Sequence, residues 1–210
     1  MSTSRTLSLQ EAVQAIQAGE VIIYPTETFY AIGCDAYNGQ AVEAVYHMKQ
    51  RSAYFPLPLI VPDISFVDEL AEDISKTARK LMEHFWPGPL TVLLPARKDL
   101  PSFMLRGSDY VAVRLSSHPL AERLAKEAGC VLTASSANLS GFPPAWHPDE
   151  LCEELSAACH GVVIEQPFPK GSAPSTIVRV DSDRGREKIC IRRGGAISKK
   201  DLENAGFVVM

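Results

Sequence analysis

The segment Tyr24-Pro-Thr-Glu-Thr-Phe-Tyr-Ala-Ile-Gly33 gathers hydroxyls and a carboxylate at the end of an apolar run. Pro25 removes a backbone donor and ends the hydrogen bonding of that run, so Thr26, Glu27 and Thr28 fall at a turn. There they can grip a small polar substrate, or form a turn and helix cap with no ligand. Lys49-Gln50-Arg51 sets two cations two residues apart after a helical pattern. Both could reach one polyphosphate, or both could offset the negative end of a helix dipole. Arg114 lies on the small or polar-facing side of Val111-Ala-Val-Arg114, where a guanidinium needs an acceptor. That acceptor is either a ligand or a carboxylate of the protein.

The run Thr133-Ala-Ser-Ser-Ala-Asn-Leu-Ser-Gly141 follows a strand pattern directly. Its small residues allow close approach to the backbone, and Ser136, Asn138 and Ser140 offer polar groups in quick succession. Such a loop can wrap a phosphate or bond a base, and it can equally be a serine-rich turn. The phosphate-loop pattern G-x-x-x-x-G-K-[ST] is absent. Ser172-Ala-Pro-Ser175 brings hydroxyls into a strand, and Arg192-Arg-Gly-Gly195 brings cations out of one. No histidine has metal-ligand spacing, no G-x-S-x-G elbow occurs, and no cysteine has a recognisable base partner. No residue is therefore assigned as nucleophile, base or metal ligand.

These residues need positioning elements. Leu9, Val13 and Ile16 predict a helix from Ser8 to Ala18 stopped by Gly19, and Glu20 to Tyr24 reads as a buried strand. Further helices are expected over Gly39–Met48, Phe66–Phe85, Pro119–Ala128 and Asp149–Cys159. Strands are expected at Leu59–Val61, Leu90–Leu94, Tyr110–Leu115, Cys130–Thr133, Val162–Ile164, Ser175–Val180 and Lys188–Ile191. Ser135–Pro148 reads as loop. Strands outnumber a simple alternation with helices, which favours a mixed sheet in an α/β or α+β domain over a doubly wound parallel one.

The chain has 210 residues, enough for one large domain, and no linker or repeat divides it. One domain over 1–210 is expected. With 21 Lys+Arg against 25 Asp+Glu, the net charge of -4 has the wrong sign for coating nucleic acid by bulk electrostatics. No apolar run is long enough to cross a bilayer, and the polar N-terminus lacks a signal-peptide pattern. The five cysteines are odd in number and scattered, so reduced thiols and a cytoplasmic setting are expected, with Cys130 and Cys190 as small core residues.

Taken in order, Y-P-T-E-T-x-Y, K-x-R, W-P-G-P-L-T, V-A-V-R, S-S-A-N-x-S-G, P-S-T-I-V and a late R-x-G resemble the YrdC-like threonylcarbamoyl-AMP synthase family, in its short, single-domain form. The resemblance runs from about Leu9 to Gly195. It implies a twisted mixed sheet with flanking helices around a large concave cavity. It also implies a reaction joining L-threonine, bicarbonate and ATP into threonylcarbamoyl-AMP with release of pyrophosphate. Downstream transferase proteins would then modify adenosine 37 of tRNA, and weak binding of tRNA or double-stranded RNA could accompany this.

Carried over by motif, the resemblance implies that Thr28, Arg114 and Ser175 contact threonine and bicarbonate. It implies that Lys49, Arg51 and Arg192 face the phosphates of ATP, with Ser136, Asn138 and Tyr110 at the nucleotide. Positioning and charge neutralisation can supply most of the rate of such a reaction, with Mg²⁺ held largely by phosphate oxygens and water. The chain departs from the family pattern at Ala31, where glycine is usual. It departs again after Arg51, where Phe55 or Leu57 stands for a polar residue and Ile60 or Pro62 for a histidine. These departures motivate an alternative, a non-catalytic nucleotide- or RNA-binding paralogue of the same family.

Overall fold

Local signals in the chain place most of the elements. The computed structural model describes residues 5–50, 55–183 and 185–210. In chain order, β1 (Thr6–Leu7), α1 (Leu9–Gln17), β2 (Ile22–Pro25), β3 (Tyr30–Gly33) and α2 (Gly39–Met48) come first. Next are β4 (Leu59–Ile60), α3 (Val67–Leu70), α4 (Lys76–Phe85), β5 (Leu90–Pro95), α5 (Ser102–Leu105), β6 (Tyr110–Arg114) and α6 (Pro119–Ala128). β7 (Leu132–Thr133), β8 (Ser135–Ser136), α7 (Glu153–Ala158), β9 (Gly161–Val163), β10 (Thr176–Asp183), β11 (Arg186–Arg193) and α8 (Lys199–Asn204) complete the order. Ser8 and Glu11 close a capping box on α1, and Gly129, at φ +69°, caps α6 in the left-handed conformation.

Two mixed sheets result. The first has the order β1-β9-β2-β3-β8 and the second β11-β10-β5-β6-β4-β7. Parallel pairs β1/β9, β2/β9, β5/β10 and β4/β6 sit beside antiparallel ones, as expected for a mixed rather than doubly wound sheet. The first sheet is buried on both faces. Ile22, Tyr24 and Ala31 pack with Ile16 of α1 and Leu124 of α6, while Ile23, Tyr30 and Ile32 pack with Val42 and Val45 of α2.

The second sheet divides its residues by the twofold alternation of a strand. Leu90, Val92, Leu94, Val111, Val113 and Val178 enter a core with Leu81 and Met82 of α4. Their neighbours Thr91, Leu93, Tyr110, Ala112, Arg114 and Ile177 line a cavity on the other side. Each fully buried aliphatic side chain stabilises by about 1.5–3 kcal/mol, so the core-facing set holds the sheet and leaves the other face for polar residues.

Some expectations are corrected. The helix expected over Phe66–Phe85 is broken into a 3-10 turn, α3 and α4, because Ala71 leaves the helix to bridge Ala96 and Ser75 starts a new cap. Pro25 does not stop β2, which pairs in register as far as Pro25↔Tyr30. The motif is thus a hairpin, and its return strand, β3, is not among the expected strands. β8 forms inside the stretch read as loop by pairing Ser135 and Ser136 with β3. All five cysteines are free thiols, and the fully buried one is Cys34, whereas Cys130 and Cys190 are partly exposed.

The sheets meet at Thr133. Its carbonyl accepts from the Tyr24 hydroxyl at 2.8 Å, its amide donates to Cys34 O at 2.9 Å, and its Oγ1 accepts from Cys34 N at 3.0 Å. Gly33 lies against this seam, where an added Cβ would collide with the Thr133 carbonyl. Gly33→Ala is therefore expected to destabilise by roughly 3 kcal/mol, at the upper end for overpacking. Denaturant unfolding checks this; an unchanged midpoint would mean that the sheets separate there at no cost.

Candidate active site

The cavity has a volume of about 740 Å³. One wall is the polar face of β5, β6 and β10. The opposite wall is the β2–β3 turn, with Thr26 and Thr28, together with β8 and the loop after it, with Ser136 and Asn138. Arg192 and Arg193, at the end of β11, complete it. Of the residues singled out from the sequence, Thr28, Arg114, Ser175, Tyr110, Ser136, Asn138 and Arg192 all line this one space. Arg51 lies outside the described residues.

Arg114 reaches the cavity as a compensated cation. Its Nη1 donates to Glu27 Oε1 at 2.5 Å, and both side chains are under 10% exposed. The Ser116 hydroxyl donates to Glu27 Oε2 at 2.5 Å, and Ser116 Oγ accepts from His118 N at 3.2 Å. His118 is itself fixed: Nδ1 accepts from Leu120 N and Nε2 donates to the Pro167 carbonyl at 2.8 Å. Burial holds its pKa below the usual imidazole value, which keeps the neutral form that this bonding needs. The acceptor the structure shows for Arg114 is thus the Glu27 carboxylate, in an ion pair that occupies part of the guanidinium of a residue lining the cavity.

Parallel pairing of β10 with β5 sets Ile177 beside Thr91 and brings Ser175 to the same level. Ser175 Oγ and Thr91 Oγ1 are 2.9 Å apart. Arg193 Nη2 donates to Ser175 Oγ at 3.0 Å and to its carbonyl at 2.8 Å, so a hydroxyl pair lies under a guanidinium. The guanidinium of Arg179 stacks over the Tyr110 ring, 5.2 Å from its centroid, and pairs with Asp181. This orients Tyr110 at the cavity edge.

Lys49 is placed differently from the expectation that it faces a phosphate. It is buried, does not line the cavity, and its ammonium donates to the carbonyls of Ser136 and, at 2.7 Å, Asn138. Its own carbonyl accepts from Ser140 N and, at 3.0 Å, from Ser140 Oγ. The lysine at the end of α2 therefore clamps the serine-rich loop. In that loop Asn138 Nδ2 donates to Leu139 O and Phe142 O, while its Oδ1 has no hydrogen-bond partner among the described residues. The Tyr30 hydroxyl is likewise buried without a partner, and burial pushes its pKa up to about 12.

Sequence reasoning missed Thr91, Arg193 and the partner role of Glu27. Thr91 had a signal, a hydroxyl on alternate register in an otherwise apolar strand. Arg193 had none that set it apart from Arg192. Of the two candidates after Arg51, Leu57 is buried in the core, whereas Phe55 is 65% exposed and lines the cavity. Phe142 stands on the same wall, 66% exposed. No aspartate or glutamate is among the described residues lining the cavity. The thiols of Cys34, Cys130 and Cys159 are pushed up to about 12 by burial, which unsuits them as nucleophiles. No helix of the described residues is long and apolar enough to cross a membrane.

Comparison with known proteins gives the same picture. The family model for Sua5, YciO and YrdC, described as "Telomere recombination", matches residues 14–194. A threonylcarbamoyl-AMP synthase of Bacillus subtilis is 35% identical over 196 residues, covering 93% of this chain and 55% of the relative. One from Photobacterium profundum is 38% identical over 160 residues, covering 73% of this chain and 86% of the relative. The crystal structure of P. abyssi Sua5 complexed with L-threonine superposes with a TM-score of 0.87 at 27% identity. That match covers 96% of this chain and 58% of that one. The chain thus spans little more than half the length of the Bacillus and P. abyssi proteins. With the fold, the ordered motifs and the family model in agreement, the chain belongs to the Sua5/YciO/YrdC family.

Proposed function

We propose that the protein is an L-threonylcarbamoyladenylate synthase, forming threonylcarbamoyl-AMP and pyrophosphate from L-threonine, bicarbonate and ATP. The product would supply N6-threonylcarbamoyladenosine formation at position 37 of tRNA through separate transferase proteins, in the cytoplasm. The observation that carries this reading is the convergence of hydroxyls and guanidiniums from six separate sequence segments on one cavity of about 740 Å³. The names of the two bacterial relatives and the threonine held by the P. abyssi protein support it. We read the motif-bearing stretch 9–195 as one catalytic domain.

In this reading Thr28 and Ser175 hold threonine, and Arg114 meets its carboxylate or the carbamate. The threonine amine attacks bicarbonate carbon with loss of water, and a carbamate oxygen attacks the α-phosphorus as pyrophosphate leaves. Arg192 and Arg193 stabilise the charge on the phosphates; Ser136, Asn138 and Tyr110 hold the nucleoside. Catalysis is by positioning and electrostatics, with no protein nucleophile. Since no carboxylate among the described residues lines the cavity, Mg²⁺ enters with the nucleotide as part of the substrate. Lys49 acts through the loop rather than on the phosphates.

Purified protein is expected to release pyrophosphate only when threonine, bicarbonate and ATP are all present. No release beside an active relative in the same assay removes the synthase reading, and ATP binding without release would restore the non-catalytic paralogue. Arg114→Ala should cost about 3–5 kcal/mol of stability, because it strands a buried carboxylate. The double variant Arg114→Ala/Glu27→Gln should recover most of that stability but not synthesis; recovered synthesis would reduce Arg114 to a structural role. Lys49→Met should weaken nucleotide binding about tenfold, the worth of one lost charge-assisted bond in loop order. Calorimetric titration with a non-hydrolysable ATP analogue measures this, and an unchanged affinity would sink the clamp.

A further inference from the structure

A second pocket of about 590 Å³ lies on the other side of the loop that follows β8. It shares Phe29, Asn138, Phe142 and Pro144 with the larger cavity and adds Trp146 and Glu150. Of this lining the proposed synthesis uses Asn138 alone. We propose that this pocket receives a cationic side chain, an arginine in particular, carried by a partner protein.

Most backbone donors on the lining are already engaged: the amides of Ala137, Asn138, Phe142, Trp146, Glu150 and Gly171 meet acceptors of the protein, and Asn138 Nδ2 meets two carbonyls. Pro143 and Pro144 have no N–H to offer. The Glu150 carboxylate supplies an acceptor on the lining: Oε2 caps the turn by accepting from Trp146 N at 3.0 Å and His147 N at 3.4 Å, and Oε1 has no hydrogen bond among the described residues.

Charge has the same sense. Asp149 adjoins Glu150 in the turn Pro148–Glu150, and Glu153 and Glu154 open α7. No lysine or arginine is among the described lining residues, and Lys170, next to Gly171, is exposed and outside the lining. A phosphate-bearing ligand would be repelled. A guanidinium pairs with the Glu150 carboxylate and stacks on aromatic faces, which Phe29, Phe142 and Trp146 supply. The pocket opens at a shoulder where Trp146 is 45% and Phe142 66% exposed, an aromatic patch of the kind that anchors protein partners. It stands beside the cavity, where a partner consuming a reactive adenylate would dock.

Trp146 is a built-in reporter, because Trp86 is only 8% exposed. Its fluorescence in the full chain should change saturably with acetyl-Gly-Arg-Gly-amide, with a dissociation constant of about 1 mM or below. The citrulline counterpart, neutral and nearly isosteric, should bind at least fivefold more weakly. Glu150→Gln keeps an acceptor for the turn and should weaken the arginine peptide at least fivefold while leaving pyrophosphate release unchanged. Equal binding of arginine and citrulline peptides, indifference to Glu150→Gln, or no saturable response overturns the proposal. So does a response to AMP or oligouridylate in place of the peptide, which would make the pocket a base-binding site. The readout does not require turnover, so its failure is separate from failure of the synthase reading.

Discussion

A guanidinium can stand on the wall of a largely enclosed cavity only if its charge is compensated before any ligand arrives. Glu27 meets that constraint for Arg114. One carboxylate oxygen pairs with the arginine and the other is held by the Ser116 hydroxyl. The chain of bonds continues through His118 to the Pro167 carbonyl, so the pair is anchored in backbone as well as side chains. The hairpin that carries Glu27 and the strand that carries Arg114 belong to different sheets. The ion pair therefore links the two sheets while presenting a cation to the cavity.

The strands of the second sheet divide labour by parity. Val111 and Val113 build the core that makes β6 stable, and Tyr110, Ala112 and Arg114 between them face the cavity. Because the same strand holds both sets, side chains that face the cavity inherit the rigidity of a packed sheet. Loops supply the complementary wall, and there order comes from specific bonds instead. Lys49 is the clearest case, a charge placed where a motif comparison expects a phosphate contact but used to fix two carbonyls of the serine-rich loop.

Much of this architecture was legible in the residues, and the reasons are local. Apolar spacing placed α1 and α2, and glycine stops at Gly19 and Gly129 closed α1 and α6, nearly to the residue. Alternation in Val111-Ala-Val-Arg114 marked Arg114 as facing away from the core. The order of seven weak motifs carried the resemblance that implied a cavity, and residues of six of them line it. What escaped depends on long-range pairing. β8 and β3 are strands only because each finds the other, and the Phe66–Phe85 pattern breaks because Ala71 meets Ala96. A carboxylate such as Glu27 gives no sequence sign of which distant arginine it will meet, and a lysine two residues from Arg51 gives none that it will turn inward.

The seam at Thr133 has a consequence for how ligands come and go. Three hydrogen bonds to Tyr24 and Cys34, and a glycine with no room for a methyl group, rivet the two sheets where they meet. A vessel riveted along its floor cannot gape like a clam. Whatever ligand the cavity takes must therefore pass its exposed lining, where Phe55 and Phe142 stand, and not a gap between parting sheets.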